Sequence, residues 1–497
     1  MDFLDPRQRQ AHKIRLVIGY GLMGIVILLM ATILVYGVSG YGINTKTGDI
    51  IQNGLLFVDS KPGGASIFLN GKDNHSSTAA RLVLPAASYE LTIKKAGYRD
   101  WQRKFTLSEN SVNRYTYPLL FPIAPASKTL RVYPSEPPVL SASPDRKWLL
   151  VQVPPVDFAK ISFDVYETTK LDQPPTTLAF PTGLLSNTDQ PNGSLSVIEW
   201  AADNDHFLVR HSFSGGQEFI VVSRVDPTQS FNVNRLLNSN PTQVSLRNKK
   251  TDQLYIYSQN ESLLSLADVS KISIQPLLKH VLAFKSHEAN LFSYITDQNV
   301  ATGQVTARIW ESGKSYPLYT FAAGSKYLID ATQFQGHWYY VAGSDQASRI
   351  NVFKDPLNGL KNPEVNRAIP ILSLSGNGSS SLSFSANVRF VSIQAGQKFS
   401  VYDIETDSRY QFTLAAALSG PMRWLDGHRW IGQSGGAMLV MDYDSTNQQV
   451  LTPTIRTDGG YLDKNSNFLL TLAQVTGSPS VALQATDLRA GADLPKQ

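Results

Sequence analysis

The longest run of apolar residues lies close to the N-terminus. Residues 16–38, LVIGYGLMGIVILLMATILVYGV, contain no charged side chain. An α-helix rises about 1.5 Å per residue, so this run is long enough to cross the roughly 30 Å hydrocarbon core of a bilayer. A core helix of a soluble domain would show a polar face, and this run shows none. The pattern predicts a single transmembrane helix over residues 16–41 that contacts the lipid bilayer through residues 16–38.

The flanks of this helix predict its orientation. Residues 1–15 form a short basic tail, whereas the stretch 42–60 contains one basic side chain, Lys46. Short flanks rich in Lys and Arg remain in the cytoplasm, which predicts a cytoplasmic N-terminus and an extracytoplasmic remainder at the cell membrane. The alternative is a cleaved signal peptide, whose apolar core is typically about 7–15 residues, so an uncleaved signal anchor is favoured. The predicted topology-determining residues are Arg7, Arg9, Lys13 and Arg15.

Beyond the helix, residues 54–120 alternate between apolar and polar side chains in short stretches. In one stretch Tyr89, Leu91 and Ile93 fall on the same face of a strand. Turn signals such as Asn70-Gly71 separate the stretches, because a tight turn needs positive φ. The pattern predicts a small β-sandwich with strands at Leu55–Asp59, Ala65–Leu69, Ala80–Leu84, Tyr89–Lys94, Trp101–Leu107 and Asn113–Tyr117.

This segment resembles the PEGA domain. The tetrapeptide that names the family falls on residues 62–65, with Gly63 where Glu is usual. The resemblance implies a small β-sandwich that is common in prokaryotic surface and envelope proteins, and it does not imply catalysis. The residues of the motif are Pro62, Gly63, Gly64, Ala65, Asn70, Gly71, Gly97 and Tyr98.

The remainder of the chain reads as a proline-rich linker followed by repeats. Proline forbids helix and discourages central strands, so residues 121–138 are predicted to be a stiff, partly extended connector. Over residues 139–490 a unit of short strands recurs roughly every 35–50 residues, which is typical of a β-propeller. Its clearest copy begins at residues 139–151. The predicted fold is therefore all-β, with about seven or eight propeller blades; a β-sandwich array is the structural alternative.

One turn in the first repeat also carries a resemblance. Ser143-Pro144-Asp145 is similar to the blades of the Tol-associated periplasmic propeller and, more loosely, to WD-type repeats. Arg146 stands where glycine is usual, and later units lose the Ser-Pro pair. The resemblance implies an architecture and no particular ligand.

Charge and composition narrow the function classes. The net charge of the 497 residues is +5, but residues 121–497 carry −1, so the repeats have no basic character and no nucleic-acid partner is expected. Residues 54–120 hold nine Lys or Arg against five Asp or Glu. Their basic face either contacts anionic headgroups or wall polymer, or is an ordinary solvated face. The absence of Cys excludes disulfides, thiolate metal sites and Cys nucleophiles.

A search for reactive groups predicts no catalytic, cofactor-binding or metal-ligating residue. None of the eight His residues forms a recognisable metal motif, and neither G-x-S-x-G nor a phosphate-binding loop is present. The favoured hypothesis is a non-enzymatic, membrane-anchored interaction protein whose propeller binds an envelope protein or a cell-surface glycan. The alternatives are a structural envelope scaffold and, less favoured, a lyase or glycosidase with converging carboxylates or His at the channel mouth.

Overall fold

The computed structural model describes residues 6–38, 41–43, 50–188 and 193–494. The chain forms two compact units, Met1–Ile123 and Ala124–Gln497. The first unit begins with helix α1, Pro6–Val38, whose apolar part Ile14–Tyr36 has exposed side chains and is long enough to cross a membrane. Such a helix is a membrane anchor or a signal sequence.

Helix α1 begins and ends differently from the predicted boundaries. It contains Arg7, Arg9, Lys13 and Arg15, so the basic tail is helical; the side chains of the first three lie outside the described part. The predicted span 16–41 is too long at its C-terminal end. The helix ends at Val38, and strand pairing has begun at Tyr41.

Beyond α1, the described residues of the first unit form a β-sandwich of two four-stranded sheets. One sheet has the order β1-β2-β5, with β8 parallel to β2, and the other has the order β4-β3-β6-β7. Its strands are β1 Tyr41–Ile43, β2 Ile50–Val58, β3 Ser66–Leu69, β4 Lys72–Ser77, β5 Ala80–Pro85, β6 Ala87–Lys94, β7 Trp101–Leu107 and β8 Val112–Tyr115. The core is formed by buried apolar side chains that alternate along these strands, among them Leu56, Val58, Ile67, Leu91, Ile93 and Trp101.

The six strands predicted for this sandwich are present, and two more were missed. Strand β4, KDNHSS, carries no apolar alternation. It forms because Asn70 and Gly71 adopt φ of 52° and 76°, which closes a hairpin that pairs it with β3. Turn chemistry therefore places a strand that its own side chains do not specify.

The second unit contains eight four-stranded antiparallel sheets in its described part, which we call blades 1–8 in chain order. Blade 1 consists of β10 Leu140–Ala142, β11 Trp148–Gln152, β12 Ser162–Glu167 and β13 Thr176–Ala179, and blade 2 of β14 Ser194–Trp200, β15 His206–Phe213, β16 Gly216–Ser223 and β17 Phe231–Asn232. Blade 3 consists of β18 Gln243–Leu246, β19 Gln253–Ser258, β20 Leu263–Asp268 and β21 Ser273–Leu278. Blade 4 consists of β22 Val281–Glu288, β23 Leu291–Thr296, β24 Gln304–Glu311 and β25 Lys314–Ala322.

Blades 5–7 repeat the same meander, and blade 8 takes one strand from elsewhere. Blade 5 consists of β26 Tyr327–Phe334, β27 His337–Ser344, β28 Arg349–Lys354 and β29 Leu372–Ser375, and blade 6 of β30 Ser381–Phe384, β31 Phe390–Ala395, β32 Lys398–Asp403 and β33 Ser408–Thr413. Blade 7 consists of β34 Arg423–Trp424, β35 Arg429–Ser434, β36 Ala437–Asp442 and β37 Gln449–Pro453. Blade 8 consists of β38 Tyr461–Leu462, β39 Phe468–Gln474, β40 Val481–Asp487 and the earlier strand β9 Ser127–Tyr133. Two short helices lie in loops: α2 Val233–Leu237 connects blade 2 to blade 3, and α3 Pro356–Leu360 lies between β28 and β29 of blade 5.

Buried apolar clusters join each of several neighbouring blade pairs. Phe163 of blade 1 packs with Phe207 of blade 2, and Tyr255 of blade 3 packs with Phe292 of blade 4. One cluster joins blade 8 to blade 1 through Leu470 and Leu149. The first strands of blades 4, 5, 6 and 7 contact one another in succession, as inner strands of a ring do. A twisted four-stranded sheet cannot bury both faces alone, so these contacts favour a closed eight-bladed propeller.

Strand β9 closes this ring and corrects the predicted linker. It pairs antiparallel with β40, with Tyr133 opposite Val481, and so supplies the last strand of blade 8. The Tyr133 hydroxyl donates to Asp164 Oδ2 of blade 1 at 2.6 Å, and Arg131 Nη1 lies 2.8 Å from Asp164 Oδ1. The prediction that residues 121–138 are only a connector was wrong for Ser127–Tyr133, because none of the prolines that suggested it lies within this strand.

The turn between the first two strands of a blade recurs with one backbone geometry. The N–H of its first residue donates to the carbonyl five residues later, and a left-handed residue with φ between 55° and 59° lies between them. An Asp or Asn before the left-handed residue accepts backbone N–H bonds, as Asp145, Asp203 and Asn387 do. The turns begin at Ser143, Ala201, Ser385 and Asp463. The turn therefore persists in units that have lost the Ser-Pro pair.

Candidate functional site

Charged side chains from four consecutive blades gather on and beside the inner strands. Five residues form this group, which we call the inner polar cluster because each lies in or directly after the first strand of its blade. They are Glu199 in β14, Lys249 in the turn after β18, Lys285 and His287 in β22, and Asp330 in β26. Inner strands border the axis of a propeller, so side chains far apart in sequence meet there.

One half of the inner polar cluster is an ion pair. The Glu199 carboxylate forms a salt bridge with Lys249 Nζ and accepts the Leu246 N–H at 2.6 Å. Both contacts join blade 2 to blade 3. Glu199 is therefore paired with an opposite charge, whereas Lys249 remains more than half exposed to solvent.

The other half is centred on Asp330. Its two carboxylate oxygens lie 3.9 Å from Lys285 Nζ and 3.9 Å from His287 Nδ1, and one of them accepts the Ala331 N–H at 2.9 Å. Burial raises the pKa of Asp330, while Lys285 acts in the opposite direction. This carboxylate is more loosely held than Glu199, because no side chain in the described part lies within hydrogen-bond distance of it.

His287 is a neutral member of the cluster. Its ring is buried, and Nε2 lies 2.9 Å from Ser293 Oγ. Burial, with the nearby Lys285 charge, lowers the pKa of His287 to about 3. At neutral pH the ring is uncharged, so it is not available as a proton donor to a substrate in the way that an imidazolium is.

The geometry of the cluster suits recognition of a polar ligand. A glycosidase of the usual kind needs two carboxylates that act as acid and base or nucleophile. Glu199 is committed to Lys249 and a backbone N–H, which leaves Asp330 as the loosely held acid of this group. Lys249 and Lys285 supply partly exposed ammonium groups on neighbouring blades. The group therefore offers charged and hydrogen-bonding side chains to a polar ligand.

Sequence reasoning did not single out this cluster. His287 is one of eight His without a metal motif, and no sequence motif connects the other four members with one another. The signal that could have found them is the repeat itself. Once the units are aligned, these residues lie in, or directly after, the first strand of successive blades.

A second charged group lies between blades 7, 8 and 1 and is fully engaged in structure. Arg423 Nε donates to the Asp458 carbonyl at 3.0 Å, and Arg456 forms two bonds of 3.0 and 3.1 Å with the Asp458 carboxylate. The Tyr461 hydroxyl donates to the Leu140 carbonyl at 3.2 Å. The Tyr461 contact joins blade 8 to blade 1, and the arginine contacts fix the segment between blades 7 and 8.

The two histidines of β15 lie in different surroundings. His206 Nδ1 lies 2.8 Å from Asp203 in a half-exposed turn. His211 is buried, with Nδ1 2.9 Å from Glu218 Oε1. Across residues 6–38, 41–43, 50–188 and 193–494, no group of three or more metal-ligating side chains is found.

The PEGA motif residues lie in turns and in the sandwich core. Ala65 and Tyr98 are buried, and Gly64, Gly71 and Gly97 have positive φ. Two further contacts brace the motif: Lys95 Nζ donates to the Gly63 carbonyl, and the Glu90 N–H donates to Asn70 Oδ1. These residues shape the module and form no common ligand site.

The fold and its sites define a class of protein: an all-β chain with one N-terminal apolar helix, a PEGA-type sandwich and a β-propeller. Residues 53–120 match the model of the PEGA domain, which confirms the resemblance drawn from the motif. No curated protein matches the chain.

Solved structures similar to the chain are β-propeller proteins. An oligogalacturonate lyase in complex with manganese is 10% identical over 74% of this chain and 98% of its own, with a TM-score of 0.39. Hsv2 from Kluyveromyces lactis is 9% identical over 70% of this chain and 97% of its own, with a TM-score of 0.37. One similar structure is an enzyme by its name and the other is not. Similarity this distant carries no argument about function, and the eight sheets themselves define the propeller.

Proposed function

We propose that this protein is a membrane-anchored, extracytoplasmic interaction protein whose propeller binds an envelope protein or a cell-surface glycan without catalysis. The observation that carries the proposal is the inner polar cluster, in which four consecutive blades present paired and exposed charges at their inner strands. A rigid ring that displays such groups loses little entropy when it binds, which favours recognition. Helix α1 keeps this surface at the membrane.

The binding test uses the full chain in lipid nanodiscs. At least one of two interactions is expected for the unaltered chain: co-sedimentation with purified cell-wall polymer, or cross-linking to envelope proteins in intact cells. The double variant Lys249→Glu, Lys285→Glu is expected to weaken the observed interaction by about tenfold or more, because it reverses two cations of the site. Lys314→Glu, a charge reversal at an exposed hairpin turn of blade 4, is the matched control.

Two outcomes would contradict this proposal. The first is that the unaltered chain retains neither polymer nor envelope protein. The second is that the double variant and the control retain equal amounts. Conversion of the polymer into shorter products by the unaltered chain would contradict the non-catalytic part alone.

The proposed orientation has its own test, since the chain has no Cys. A single Cys at Asn260, an exposed position in blade 3, is expected to react with a membrane-impermeant maleimide in intact cells. A single Cys at Gln10 is expected to react only after the membrane is permeabilised, because the basic tail remains in the cytoplasm. The reverse labelling pattern would refute the orientation.

A further inference from the structure

The outer strand of each blade is an exposed sheet edge, and most blades protect this edge. Proline interrupts the ladder of three outer strands, β21, β25 and β37, at Pro276, Pro317 and Pro453. Charged side chains occupy the outer strands of blades 6 and 8, at Arg409, Lys128 and Arg131. Proline and charge are the devices that keep sheet edges from pairing with other chains. The outer strands β13 and β17 of blades 1 and 2 contain neither, and nor does strand β29 of blade 5, Leu-Ser-Leu-Ser.

A groove follows this unprotected edge. It has a volume of about 540 Å³ and is lined by residues 370–375, by Ser348 and Arg349 of the same blade, and by Arg409 of blade 6. The segment that leads into β29 exposes two large apolar side chains, Ile369 at 62% and Ile371 at 41% of their surface. An edge strand, apolar side chains and open space thus lie together.

The backbone of β29 has groups available for pairing. The Gly376 N–H donates to the Ser348 carbonyl at 3.1 Å, and alternate residues of a strand bond the same neighbour. The N–H groups of Ser373 and Ser375 therefore point away from β28. In the described part of the chain, no strand pairs with this side of β29. An extended peptide has the geometry to satisfy these groups.

The charges around the groove indicate the chemistry of its occupant. Arg349, the first residue of β28, lies opposite Ser375 at the end of β29, and Arg409 is an exposed residue of β33. Neither forms an ion pair with a carboxylate among the described residues, so both cations are available. An acidic side chain on a bound strand would meet one of them, and charge complementarity of this kind selects the partner.

We infer that β29 is a docking edge for an extended, acidic segment of a partner protein, which adds to blade 5 as a fifth strand. The inference rests on the proposed interaction function and gives its partner a chemical class. Backbone bonds to β29 would supply affinity. The arginines, with Ile369 and Ile371, would select a segment that combines Asp or Glu with aliphatic residues.

The test uses the full chain in nanodiscs and a displayed library of random nine-residue peptides as the probe. Enriched peptides are expected to combine acidic and aliphatic residues. Two variants are expected to raise the Kd of the enriched peptides by about tenfold or more: Ser375→Pro, which removes an outward N–H, and Arg349→Glu with Arg409→Glu, which reverses the charge. The second variant changes exposed side chains only and so guards against misfolding of the first.

A matched control exists on blade 1. The Phe180 N–H donates to the Ile161 carbonyl, so the N–H of Thr177 in β13 also points away from its sheet. Thr177→Pro makes the same backbone change on another outer strand and is expected to leave peptide binding unchanged. The inference would be overturned if Thr177→Pro and Ser375→Pro weakened peptide binding equally. It would also be overturned if the library yielded no binding peptide, or only peptides whose Kd is unchanged by Ser375→Pro and by the double arginine variant.

The outcomes separate this inference from the proposed function. Suppose that no peptide binds at β29, while the binding of wall polymer or of a cross-linked protein is still weakened by the Lys249 and Lys285 substitutions. The docking edge is then refuted and the proposed function stands. If neither interaction is observed, both are refuted. Self-association of the chain that Ser375→Pro abolishes would identify the occupant as a second copy and would overturn the acidic-partner inference.

Discussion

A fragment that begins at residue 139 is expected to lose the cooperative unfolding that a fragment beginning at residue 124 retains. The shorter fragment lacks β9, so blade 8 has no outer strand and β40 presents an open edge. It also lacks Tyr133, which is buried and donates to Asp164 of blade 1. Deletion of one fully buried aromatic side chain costs about 3–5 kcal/mol, and the lost strand ladder adds to this. Thermal unfolding followed by circular dichroism measures the difference.

The control for this experiment supplies β9 from outside. A synthetic peptide covering residues 124–138 is expected to restore a cooperative transition to the fragment 139–497 in a concentration-dependent way, because binding to the folded state stabilises it by mass action. A peptide with alanine at the position of Tyr133 is expected to restore less. Identical melting of the two fragments would show that β9 is dispensable for the ring.

Replacement of Glu218 by alanine is expected to destabilise the propeller by about 3–5 kcal/mol, the usual cost of removing one partner from a buried charged network. Its carboxylate lies 2.9 Å from His211 Nδ1, accepts the Ser186 N–H at 3.0 Å and accepts from Asn232 Nδ2 at 2.5 Å. The substitution leaves these groups buried without their acceptor. Denaturant unfolding monitored by fluorescence measures the loss. Glu364→Ala, at an exposed position, is expected to leave the midpoint unchanged.

The same residue predicts a pH dependence with a defined sign. Burial opposes ionisation of Glu218, but hydrogen bonds from His211, Asn232 and Ser186 outweigh it and lower its pKa to about 2. A carboxyl whose pKa falls on folding stabilises the protein above its unfolded value, about 4.3, and that contribution is lost as pH falls towards 2. Glu218→Gln is expected to flatten the stability profile over this interval. An unchanged profile would refute the role of Glu218.

The anchor and the repeats could be predicted because their signals are local. Residues 16–38 are apolar on every face, and a helix there needs no partner in the chain to be recognised. Each blade carries its own alternation and turn, so eight weak copies of one pattern reinforce each other. The turn at Asp145 showed this pattern most clearly, and the turns at Asp203 and Asn387 keep its backbone geometry with other side chains.

The missed features depend on distant pairing. Strand β9 is separated from its partner β40 by the repeats, so its pairing cannot be recognised from neighbouring residues. Strand β4 forms because a hairpin turn holds it against β3. The inner polar cluster contains two pairs that each join neighbouring blades, Glu199 with Lys249 and Lys285 with Asp330, and these pairs form because the blades stack around an axis.

The sequence by itself therefore determined the class of each segment: an apolar helix, a PEGA-type sandwich and a β-propeller. Periodicity and turn residues are properties of neighbouring positions, and they are sufficient for that. Tertiary structure alone decided that the ring has eight blades, which strand closes it, which charged residues meet at the inner strands and which outer edge lies beside a groove. Each of these depends on contacts between residues far apart in the chain, and such contacts form only when the blades pack against one another.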